Sequence, residues 1–231
     1  WPCAGCVIQE RGIPLIGFYN YSVILTYLGL GSAIGGIVLA LDKQPKLAVL
    51  CLLVCGLCDM FDGTIARTCK RSDDAKRFGV QIDSLCDLVC FGVFPAMIGW
   101  AIGPANWFTV ACMIIYVLAA VIRLAYFNVQ EINREREDGG MRAYYEGLPV
   151  TSSALIMPIV IMAGVITHVR WTYIYPITLL LMGAAFVSRI RVKKPYMVGL
   201  TVLAIVGFVV FVIVIRYGGN IVCTRSFTAL A

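Results

Sequence analysis

The sequence predicts an all-α polytopic membrane protein, and three observations carry that prediction. Of its 231 residues, 60% are hydrophobic and only 14% are charged, with a mean hydropathy of +0.87; soluble domains carry about a quarter charged residues. Several stretches approach or exceed the roughly 17 to 25 apolar residues that a helix needs to cross a bilayer. Lys and Arg gather in alternate connections between those stretches, as they do in cytoplasmic loops.

Seven spans are expected, at residues 20–41, 46–66, 84–103, 107–127, 150–167, 171–188 and 197–215. Spans two and three carry acids near one end, where each can protrude from the hydrocarbon. The basic residues fall between spans two and three (Arg67, Lys70, Arg71, Lys76, Arg77), four and five (Arg134, Arg136, Arg142), and six and seven (Arg189, Arg191, Lys193, Lys194). The other connections hold Lys43, Lys46 and Arg170, with Arg216 and Arg225 in the tail, so the rich side is read as cytoplasmic. The net charge of +6 then calls for no nucleic acid; basic loops beside a bilayer also attract anionic lipid head groups. Residues 130–142, "QEINREREDGGMR", read as a solvated extension of span four ended by Gly139 and Gly140.

The ten cysteines do not read as a disulfide framework, because Cys51, Cys55, Cys58, Cys86, Cys90 and Cys112 fall in or beside apolar spans, where Cys behaves as a small hydrophobe. Cys3 and Cys6 form a CxxC without a second pair, and the one histidine, His168, belongs to the opposite side, so a zinc knuckle lacks ligands. Gln9, Glu10 and Arg11 interrupt the start of the chain, and no cleavable signal peptide is expected. Repeats and low-complexity segments are not expected either.

The chemistry concentrates between residues 59 and 87. In "CDMFDGTIAR" (58–67), Asp59, Asp62, Gly63, Ala66 and Arg67 share one helical face; in "FGVQIDSLCDLVCFG" (78–92), Gly79, Asp83 and Asp87 recur every fourth residue. If the connection turns the chain back, four carboxylates converge at the cytoplasmic edge, where like charges need a partner. A site of carboxylates without His or Cys favours hard cations, Mg²⁺ first and Mn²⁺ or Ca²⁺ behind. Two ions suit four carboxylates, and a two-metal clamp suits displacement at phosphorus. The small residues either admit a phosphate or nucleotide to the backbone or let helices pack closely. Arg67 suits phosphate oxygens.

This constellation, Asp59-x2-Asp62-Gly63-x2-Ala66-Arg67 followed by Gly79-x3-Asp83-x3-Asp87, resembles the signature of the CDP-alcohol phosphotransferases, integral membrane enzymes of phospholipid synthesis. All its signature positions are present; eleven residues separate Arg67 from Gly79, more than is common in the family, so a longer cytoplasmic turn with an intact site is expected. The resemblance implies a CDP-alcohol phosphotransferase-like helical bundle with six core transmembrane helices, working as a homodimer with a cavity open to the cytoplasm. It makes Asp59, Asp62, Asp83 and Asp87 ligands of two divalent cations and Asp87 also the general base. Asp62, Gly63, Ala66, Arg67 and Gly79 would bind the CDP phosphates.

More distant segments, at 17–30, 82–96, 123–129, 144–154 and 188–195, are similar to the branch of that family that uses serine. That similarity spans residues 17–196, the expected membrane domain; residues 1–16 are unassigned, and 197–231 form an additional C-terminal helix and tail. It implies CDP-diacylglycerol and L-serine as substrates, in a cytoplasmic membrane of prokaryotic type with the active site facing the cytoplasm. Arg123 and Asn128 sit where a guanidinium can hold a serine carboxylate or a phosphate, or where Arg123 can instead snorkel or pair with an acid. Tyr144 and Tyr145 form a candidate wall of the acceptor site. Inositol phosphate or glycerol phosphate as acceptor is the nearest rival reading; a divalent-cation carrier is a distant one, because its acids should line a path to both sides.

Overall fold

In a computed structural model, the described residues are 21–68, 73–104, 106–136, 144–167, 171–189, 191–193 and 197–221. They form seven helical rods that overlap the seven expected spans. Helix α1 is Tyr21–Leu41 and α2 is Pro45–Thr68; α3 (Asp73–Asp87) runs through a π-helical turn, Leu88–Val93, into α4 (Phe94–Ile102). Then come α5 (Trp107–Arg136), α6 (Ser153–Thr167), α7 (Trp171–Val187) and α8 (Met197–Tyr217). Among the described residues, four stretches are long and apolar enough to cross a membrane: Val23–Leu41, Asp74–Ile102, Trp107–Ile132 and Val150–Thr167. Tyr173–Val187 and Ala204–Tyr217 are shorter apolar helices. Cys3, Cys6, His168, Arg170 and residues 69–72 and 137–143 lie outside the described residues.

Two features depart from the sequence reading. The third rod begins at Asp73 rather than near residue 84, so most of the expected long turn is helix. Its sequence opens on Asp73 and Asp74, acids that a helix N-terminus favours. The polar character that argued for a loop belongs to the exposed face carrying Asp74, Lys76 and Arg77, while Ala75 is buried. A small ribbon also joins two connections: β1 (Tyr144–Glu146) pairs antiparallel with β2 (Arg191–Lys193), Tyr145 opposite Val192.

Inside a bilayer, helices associate through close packing and hydrogen bonding rather than water exclusion, so small residues decide how near they come. Gly29, Ala33, Gly36 and Ala40 recur at helical spacing on α1, and the two alanines are wholly buried. A Cβ on Gly36 would overlap the Phe94 ring and lie 2.9 Å from Cys51 Cβ. Cys55 Sγ donates to Gly29 O (3.3 Å) and Ser32 Oγ to Cys51 O (3.2 Å), tying α1 to α2. The six described cysteines are free thiols, used as small packing residues.

On the other flank, α5 meets α7 at Gly183, where a Cβ would lie 3.3 Å from Tyr116 Cα, and the Tyr116 and Phe186 rings pack 5.5 Å apart. Asn106 caps α5, its Oδ1 accepting from the Thr109 N–H and hydroxyl at 2.9 Å each. Leu28, Phe61, Leu118, Leu181 and Phe208 point outward, as lipid contact requires.

Side-chain ties bring particular rod ends together. Lys46 Nζ, at the start of α2, donates to Ile215 O at the end of α8 (2.9 Å), which caps a terminal carbonyl with a cation. At the opposite end, Thr26 of α1 meets Asp62 of α2, Ser84 of α3 meets Asn128 of α5, and Arg123 of α5 meets Leu148 just before α6. The helix ends flanking the three basic connections therefore share the side that carries the acids.

Gly36→Ala should lower the midpoint of thermal unfolding in detergent, at a cost of about 1 to 3 kcal/mol for overpacking. Gly35→Ala, which meets no described atom within 4 Å, should stay within about 0.5 kcal/mol of the parent.

Candidate active site

The helical spacing of α2 and α3 delivers its acids to one place. Asp59, Asp83 and Asp87, all half-buried, each offer a carboxylate oxygen within 4.8 Å of the others. Asp83 and Asp87 are one turn apart on α3, and Asp59 reaches them from α2. At metal–oxygen distances of about 2.0 to 2.6 Å, two oxygens on one ion lie at most roughly 4 to 5 Å apart, so the cluster fits a hard divalent cation as it stands. Oxygen-only donors at a membrane edge are also the chemistry that such a cation selects.

Asp62 belongs to the same face of α2 but not to that trio. It is buried, and its Oδ2 accepts a hydrogen bond from Thr26 Oγ1 of α1 at 3.0 Å. Thr26 was not singled out by the sequence, where a lone threonine in an apolar span carries no signal beyond bonding its own helix. Here it fixes the carboxylate's orientation.

Gly63 follows, exposed, and an added Cβ there would meet no described atom within 4 Å. Gly79 lies half-buried on α3, one turn before Asp83. Ala66 and Arg67 continue α2 as helix, while their side chains lie outside the described residues, as do those of Tyr144 and Tyr145 in β1.

Arg123 is buried on α5. Its Nε donates to Leu148 O (3.3 Å), and its guanidinium carbon lies 5.7 Å from the centre of the Phe127 ring, within cation–π range. The segment it reaches is held tightly. Gly147 has φ +79°, and a Cβ there would lie 2.8 Å from Phe186 O and 3.0 Å from Ser188 O, so both conformation and space require glycine. Leu148 N donates to Ala185 O (3.3 Å). Arg123 thus links α5 to the entry of α6. Asn128 Oδ1 accepts from Ser84 Oγ at 2.8 Å, bracing α3 one residue after Asp83. Ser84, like Thr26, carries no mark in the sequence, because its use depends on a partner 44 positions away.

Comparison with known proteins places this geometry. The family model for CDP-alcohol phosphatidyltransferase matches residues 19–190. A CDP-diacylglycerol–serine O-phosphatidyltransferase of Saccharomyces cerevisiae is 41% identical over 108 residues, covering 46% of this chain and 38% of that protein. A protein of the same name from Mycobacterium bovis is 32% identical over 141 residues (58% and 46%). An archaetidylserine synthase of Methanothermobacter thermautotrophicus is 28% identical over 152 residues (65% and 61%). The chain spans less than half the length of the first two of these relatives. With a match over most of its length, and with three of the signature acids drawn together in space, the chain belongs to the CDP-alcohol phosphatidyltransferase family.

Proposed function

We propose that this protein transfers the phosphatidyl group of CDP-diacylglycerol to the hydroxyl of L-serine, giving phosphatidylserine and CMP. The observation that carries the reading is the convergence of Asp59, Asp83 and Asp87 on one point at the end of the bundle that also carries Gly63. Serine as the acceptor is supported by the names of the relatives, each of which contains it. Support also comes from the segments around Arg123 and Gly147, which are built into one wall beside α3.

Asp59, Asp83 and Asp87, with Asp62 beside them, would hold two divalent cations, Mg²⁺ or Mn²⁺. When bound, such ions supply charge neutralisation at the attacking and leaving oxygens of a displacement at phosphorus. The chain's own residues do the rest. Thr26 orients Asp62, and Gly63 keeps the α2 backbone accessible to the CDP phosphates, with Ala66, Arg67 and Gly79 along the same faces. Asp87, the second of the two clustered acids on α3, accepts the serine hydroxyl proton as that oxygen bonds to the lipid-linked phosphorus. The bond from this phosphorus to the bridging oxygen breaks, and CMP departs carrying that oxygen. Arg123 acts on the acceptor side by fixing the Gly147–Leu148 wall, and Tyr144 and Tyr145 flank it.

A homodimer in a prokaryotic cytoplasmic membrane, its acids on the cytoplasmic side and all seven rods crossing, is the arrangement this reading takes. The three Lys/Arg-rich connections on the acid side support that orientation. The clustering of signature acids at one end counts against a carrier, which would need charged groups along a through-path.

Two outcomes follow. Purified protein with CDP-diacylglycerol and Mg²⁺ or Mn²⁺ should release CMP when serine is supplied and stop on chelation; release with inositol phosphate or glycerol phosphate, but not serine, would reassign the acceptor. Asp87→Asn should cut serine-dependent CMP release by about 10² to 10⁴-fold, with circular dichroism and gel-filtration profiles unchanged.

A further inference from the structure

Immediately after Asp87 the helix widens into its π turn, Leu88–Val93, in which the Phe94 N–H reaches back to Val89 O, five residues away. Such a turn holds one residue more than the α-helix accommodates, and each residue subtends about 100°. It therefore sets the angular phase between the acid face of α3 and the core face of α4, where Phe94 and Ile98 are wholly buried. If the turn relaxed to α geometry while α4 stayed in the core, Asp87 would swing by about 100° away from Asp59.

The turn is braced at one atom. Pro95 has no N–H, so the carbonyl of Phe91, four residues earlier, lacks its usual helical donor. Two hydroxyls from other helices replace it: Tyr116 OH of α5 donates to Phe91 O at 2.6 Å, and Ser153 Oγ of α6 at 3.2 Å. Tyr116 and Ser153 are fully buried and Phe91 nearly so, where no water replaces a lost donor.

We propose that Tyr116, assisted by Ser153, is a positioning residue for Asp87: its bond to Phe91 O holds the π turn that aims the Asp87 carboxylate into the cluster. The inference rests on the metal-site reading of Asp59, Asp83 and Asp87. Tyr175 supplies the comparison, because its equally buried hydroxyl donates to Pro95 O at 2.9 Å, beyond the turn and within α4.

The test is Mn²⁺ binding, followed by the spin-resonance signal of free Mn²⁺, with the full chain in lipid nanodiscs and no substrate. The parent should bind Mn²⁺, and Asp59→Asn should abolish binding. Tyr116→Phe should weaken binding roughly tenfold, as loss of an outer support commonly does, whereas Tyr175→Phe should leave it unchanged although both variants melt earlier. Unchanged affinity in Tyr116→Phe, or equal weakening in Tyr175→Phe, overturns the proposal while leaving the metal site intact. Absence of Asp59-dependent binding in the parent removes the metal reading and this inference with it. Should Tyr116→Phe fail to fold, Ser153→Ala decides: weakened binding supports the proposal, and parental affinity overturns it.

Discussion

Carboxylates held within 4.8 Å of one another at the edge of an apolar bundle repel strongly, and the surrounding hydrocarbon screens them poorly. A protein that brings Asp59, Asp83 and Asp87 together must relieve that repulsion and hold the backbones rigid against it. Much of the architecture serves that constraint. The two acid-bearing helices come from consecutive rods, so a short connection sets their approach, while the remaining rods brace them from outside.

The bracing uses polar side chains at points where the membrane leaves no other partner. Thr26 orients Asp62 from α1, Asn128 engages Ser84 from α5, and Tyr116 with Ser153 satisfies the carbonyl that Pro95 leaves without its helical donor. Each bond crosses between helices, so each also fixes a helix phase. The small residues of α1 complete the arrangement, since the approach of α1 to α2 and to Phe94 allows Thr26 to reach Asp62. Position on the α2–α3 hairpin thus depends on contacts far along the chain.

The gathering of the acids was legible in the sequence for a simple reason: helical periodicity places residues three and four apart on one face, and both acid pairs obey it. The rods were legible because their apolar runs are long. Other features were hidden for equally physical reasons. The first turns of α3 are amphipathic and charged, so they read as loop until Asp73 and Asp74 are seen to start a helix. The ribbon of Tyr144–Glu146 with Arg191–Lys193 depends on pairing across 47 positions and has strands too short to show alternation. The π turn leaves no local mark except Pro95, and Thr26, Ser84 and Tyr116 gain their roles only from distant partners. Arg123 stands out in the sequence by its charge; its Nε is directed to the Leu148 carbonyl, a use that spacing alone does not reveal.

Whether acids from α2 and α3 together form a divalent-metal site is decided by anomalous scattering from crystals grown with Mn²⁺. Anomalous peaks are expected among the carboxylates of Asp59, Asp83 and Asp87, with Asp62 beside them. Peaks confined to other parts of the protein, with these three carboxylates turned away from one another, would contradict such a site.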